Sequence, residues 1–65
     1  MSIKQSERFA HVRDELTKIR RWLESIRTTD TALSIHTNTA YLDVTSALVE
    51  IRRAITCAEK LEAER

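Results

Sequence analysis

Along the first part of the chain, apolar residues return at alternating intervals of three and four. They fall at Phe9, Val12, Leu16, Ile19, Leu23 and Ile26, with polar and charged residues between them. An α-helix turns once per ~3.6 residues, so this spacing draws one narrow seam along one side of a helix. In heptad notation Phe9, Leu16 and Leu23 take position a, and Val12, Ile19 and Ile26 take position d. An unbroken run of this kind predicts a first helix over about residues 2–28.

The second apolar stretch is wider. One seam runs Tyr41, Val44, Leu48, Ile51, Ile55, Ala58, and a second runs beside it through Ala40, Ala47, Ala54 and Leu61. A stripe of that width suits a helix with two neighbours. It predicts a second helix over about residues 31–64. Leu42 and Val49 are seven apart and lie off both seams, so this helix is apolar nearly all round between Ala40 and Ile51.

Between the two stretches stands Thr28-Thr29-Asp30-Thr31. β-branched and short polar residues weaken a helix, and Asp is a strong N-cap type. A turn here, with Asp30 opening the second helix, is the preferred reading. A start near Asn38 is the alternative, because Ser34, Thr37, Asn38 and Thr39 are poor helix formers. Reflection about the earlier turn sets Phe9 opposite Ile51, Val12 opposite Leu48, Leu16 opposite Val44, Ile19 opposite Tyr41 and Ile26 opposite Leu33. Leu23 alone then meets a polar residue, Thr37. One continuous helix is the rival, but it would place Asp30 and Thr37 at successive a positions. The expected fold is therefore all-α: one antiparallel two-helix hairpin forming a single domain over residues 1–65.

Composition sharpens this picture. The chain has 65 residues, one cysteine, no glycine and no proline. Without Gly and Pro the usual signals of tight turns are missing, which disfavours a β-meander. A single cysteine builds no internal disulfide framework, and no Cys/His cluster has zinc-ligand spacing. A chain this short buries little on its own and here lacks covalent or metal staples. We therefore expect a homo-oligomer, a dimer before a tetramer. It would form a four-helix bundle or coiled coil with the second helix central and Val44, Ala47, Leu48, Ile51, Ala54 and Ile55 in the interface. The alternative is that this apolar surface awaits a different protein.

Net charge is +1, and the isoelectric point is near 8.0, which is not the mark of a nucleic-acid binder. The charges are unevenly spread: residues 1–28 carry an excess of Lys and Arg, and residues 29–65 an excess of Asp and Glu. Arg13, Arg20 and Arg27 recur at heptad spacing, as do Asp43 and Glu50. Such stripes beside a seam select pairing partners. The rival is a phosphate-binding face made of Arg13, Arg20, Arg21 and Arg27 with Lys18. Asp14, Glu15 and Glu24 interrupt it, and no aromatic set is present to stack bases.

Chemistry is hard to find. His11 and His36 are isolated and read as flank residues, and Cys57 lacks a base and reads as a partly buried structural thiol. The Thr-rich segment reads as turn and capping chemistry. No enzymatic activity, cofactor or metal is expected. The favoured function is a small helical protein–protein interaction module, a regulator, inhibitor or adaptor that self-associates and binds a larger macromolecule by a helix face. Candidate contacts are Arg13, Arg20, Arg21, Trp22, Arg27, Leu42 and Val49, because Trp and Arg dominate interface energetics. A nucleic-acid-binding helical dimer and a structural coiled-coil subunit are the alternatives. No apolar run approaches the ~20 residues that span a bilayer, and Met1 to Arg13 lacks a signal-peptide core. No membrane association and a cytoplasmic setting are expected.

Overall fold

A computed structural model describes residues 3–64. It contains two helices, α1 (Gln5–Ser25) and α2 (Thr31–Ala63), packed side by side. The chain between them is not helical, so the single-rod arrangement is excluded. The backbone measures 53 × 19 × 12 Å, a slab one helix thick. At about 1.5 Å per residue, α2 alone accounts for the long dimension.

Helix α2 begins where its cap dictates. Asp30 is extended at φ −75°, ψ 123°, and its Oδ1 accepts the Leu33 N–H at 2.9 Å. That satisfies one of the donors orphaned at a helix start. The weak stretch 34–39 is nevertheless helical. There the Thr37 and Thr39 hydroxyls donate to the carbonyls of Leu33 and Ile35, at 2.7 and 3.0 Å. Bonded back to the preceding turn, these side chains do not compete for other backbone groups.

Helix α1 is shorter than the seam suggests. It stops at Ser25 rather than near residue 28, and Ile26 is already extended at φ −72°, ψ 123°. Ser25 Oγ donates to the Trp22 carbonyl at 2.7 Å, and the β-branched Ile26, Thr28 and Thr29 that follow lack the propensity to continue. The Thr28 hydroxyl accepts the Asp30 N–H at 3.1 Å, which shapes the approach to the α2 cap. At the other end α1 starts at Gln5, after an extended Lys4. The expected start at Ser2 lies outside the described residues.

The extended connector resets the register. Sequence reflection placed Ser6 opposite Ala54 and Glu24 opposite His36. The structure instead joins Ser6 to Glu62 and Glu24 to Tyr41. At the open end α2 has moved by about two turns. The cause is geometric. Extended residues rise about 3.3 Å each against 1.5 Å in a helix. The five non-helical connector residues, extended at Ile26 and Asp30, therefore climb further along the axis than five helical residues would. The first turns of α2 consequently project past the end of α1, with the connector running alongside.

Rotation differs too. The α1 residues withdrawn from solvent are Ser6, Phe9, Ala10, Arg13, Leu16, Thr17, Arg20 and Leu23. These are the a column, the e column and the small residues beyond it. The d residues Val12 and Ile19, expected opposite Leu48 and Tyr41, remain 41% and 39% exposed. Ser6 belongs to the e column, and its bonds to Glu62 turn that column toward α2. On α2 the inner seam Tyr41, Val44, Leu48, Ile51, Ile55, Ala58 faces α1, as expected, and Leu48 is sealed at 1% exposure.

Candidate functional site

With one neighbour each, the helices cover one stripe each. Among the described residues only Leu48 and Ala58 are buried. What remains is apolar surface in columns, and the open-end groove shows which columns share a face. Ile3, Lys4, Gln5, Arg8 and Phe9 line that groove from the α1 side, and Ala54, Cys57, Ala58, Leu61 and Glu62 from the α2 side. Residues seven apart lie almost in line on a helix. The Gln5 column therefore continues to Val12 and Ile19, and the Arg8 column to Glu15 and Trp22. On α2 the Ala54 column holds Ala40, Ala47 and Leu61, and the Cys57 column holds Glu50 and Asp43. One broad face thus carries a branched row on α1 beside an alanine row on α2. Trp22, 70% exposed, stands at its rim.

Two ties hold this face flat. At the open end the Ser6 N–H and hydroxyl donate to the two carboxylate oxygens of Glu62, at 3.1 and 2.7 Å. A carboxylate there caps the first turn of α1 and meets the positive end of its dipole. Near the connector the Tyr41 hydroxyl donates to Glu24 Oε1 at 3.1 Å. Neither tie was visible as a pairing in the sequence, because both depend on the shifted register.

The residues singled out from the sequence scatter. Arg13 and Arg20 are half-buried on the side facing α2, so they do not join Arg21 and Arg27 in one solvent-facing basic stripe. Arg13 Nε donates to Asp14 at 3.2 Å. Arg20 Nε is buried without a hydrogen-bond partner. Arg27 lies in the connector and lines a cleft there with Leu23, Thr37 and Tyr41. Arg21 and Trp22 are exposed on α1. Leu42, 63% exposed, and Val49 stand on α2 away from α1, with Ile35 in the same column. Trp22 and Leu42 therefore belong to different surfaces. Of the residues expected between copies, Leu48, Val44, Ile51 and Ile55 lie on the seam toward α1, while Ala47 and Ala54 lie in the row on the broad face.

Cys57 corrects an expectation. It is free and exposed rather than partly buried, because it shares the Asp43 and Glu50 column, to one side of the seam that faces α1, and so stands on the groove wall. His11 and His36 are both exposed. Among the described residues no group of three or more His, Cys, Asp or Glu could hold a metal ion. Among the same residues no helix is long and apolar enough to cross a membrane. No family model matches the chain, and no curated protein or solved structure matches it either.

Proposed function

We propose that this chain is a helical interaction module that self-associates and, through a helix face, binds and regulates a larger macromolecule as an inhibitor or adaptor. One observation carries the reading: the hairpin leaves most of its large apolar side chains in water. Trp22, Val12, Ile19, Leu42 and Val49 are all exposed, while Leu48 is its one large side chain sealed from solvent among the described residues. A single layer of two helices is too thin to offset the entropy of ordering its own backbone. Exposed large apolar side chains gathered in columns on the two helices mark interaction surfaces. The nucleic-acid alternative has less support, because Arg13 and Arg20 are half-buried and the remaining basic residues are dispersed.

The test is absolute mass by light scattering across a concentration series, with helicity recorded on the same samples. A helical species of defined multiple mass supports the reading. A fully helical species that stays at the mass of one chain overturns the self-association part of it. Labelled DNA and RNA titrated at low salt test the alternative, which demands steeply salt-dependent binding.

A further inference from the structure

We propose that the broad face is closed by a second copy of this chain about a two-fold axis parallel to the helices, so that α1 of each copy lies on α2 of the other. This inference rests on the self-association reading and specifies its geometry.

Area is the first argument. A stable dimer needs roughly 800 Å² per partner, and a face 53 Å long and 19 Å wide offers that in one flat surface.

Shape is the second argument, and it depends on the register. With Ser6 opposite Glu62 and Glu24 opposite Tyr41, Val12 lies level with Ala54 and Ile19 with Ala47. An axis parallel to the helices preserves height. It therefore lays the branched row of each copy onto the alanine row of the other, large on small, over both halves of the interface. Trp22, at the rim, comes to rest near the height of Asp43. The alternative two-fold, in the same plane but across the helices, lays branched row on branched row and alanine row on alanine row. It leaves a ridge beside a trough.

Charge is the third argument. The α1 side of the face carries Lys4 and Arg8 against Glu15, and the α2 side Asp43 and Glu50; one column further out stand Lys18 on α1 and Arg53 and Lys60 on α2. Placing α1 on α2 opposes basic rim to acidic rim, with Lys18 near the height of Glu50. The crosswise axis opposes like to like, which is unfavourable. In the monomer Lys18 bonds Glu15 at 3.3 Å and Glu50 accepts from Arg53 at 2.6 Å, all four being exposed side chains. Exposed pairs of this kind exchange partners at little cost. Leu42 and Val49 stay outward in this dimer, available to the larger partner.

Spin labels at Lys60→Cys in a Cys57→Ser background decide between the axes. From helix spacings of 8–10 Å and 1.5 Å rise, the parallel axis predicts a label separation of roughly 25 Å and the crosswise axis roughly 40 Å. Dimer dissociation constants for Lys18→Glu, Glu50→Lys and the double variant give the independent readout. Each single reversal weakens the dimer by about two- to fivefold, and the double variant recovers most of the loss. A dimer with the longer separation, or with no coupling between the two reversals, overturns this geometry while leaving self-association intact. A chain that stays monomeric overturns both.

Discussion

Glu62 belongs to the last turn of α2, yet its carboxylate serves the first turn of α1. It takes the Ser6 N–H and hydroxyl together, replacing the side-chain cap that Lys4 does not provide. Hydrogen bonds to a charged group contribute more than neutral ones, about 1.5–3 kcal/mol. Glu62→Ala is therefore expected to lower stability in urea unfolding by about 2 kcal/mol. Glu62→Gln keeps one acceptor but no charge, and is expected to lose about half as much. Arg20 presents the opposite case. Its Nε is buried with no partner, and an unsatisfied buried donor costs about 1–3 kcal/mol. Its aliphatic stem packs well enough to be copied. Arg20→Met is thus expected to raise the unfolding midpoint, and an unchanged or lowered midpoint would mean that the guanidinium contributes to the fold.

Among the elements, α2 is the frame and α1 is laid against it. Asp30 sets where the frame begins, and Asp30→Ala is expected to cost about 1 kcal/mol, read as a lowered midpoint and a small loss of helicity. The two-helix architecture, the turn before Thr31, the N-cap at Asp30 and the inner seam of α2 could all be read from spacing and residue type. These are local signals, carried by periodicity and capping. Register and rotation were not legible, because both depend on how far the connector climbs. The run Ile26 to Thr29 shows that the helix weakens, but it does not show that the chain becomes extended there. The same ambiguity misplaced Val12 and Ile19. A heptad pattern shows that a and d want cover, and it does not say which neighbour supplies it. In this hairpin α2 covers the a column, and the d column is left facing out. The exposure of Cys57 follows from its place in the Asp43 and Glu50 column, away from the seam.

At the scale of the whole molecule, one sealed leucine anchors a slab that is mostly surface. Leu48→Ala removes the one large side chain sealed among the described residues and is expected to cost about 2–3 kcal/mol, enough to abolish most helicity at low concentration. If burial is completed between copies, as proposed, the thermal midpoint of the unaltered chain climbs with concentration, as mass action requires. A midpoint independent of concentration would argue that the slab is stable alone. The extended connector gives this assembly a vernier. Removing one residue between Ile26 and Asp30 draws α1 along α2 by about 3.3 Å, less than the 5.4 Å of one helical turn. That shift misaligns Ser6 from Glu62 and the branched row from the alanine row at once. Removing two moves it by about 6.6 Å, still well short of the roughly 10.5 Å at which rows spaced seven residues apart repeat, whereas removing three moves it by about 9.9 Å and brings the rows back into phase one heptad along. Stability plotted against connector length should therefore oscillate rather than fall steadily, with the beat set by the mismatch between two rises per residue.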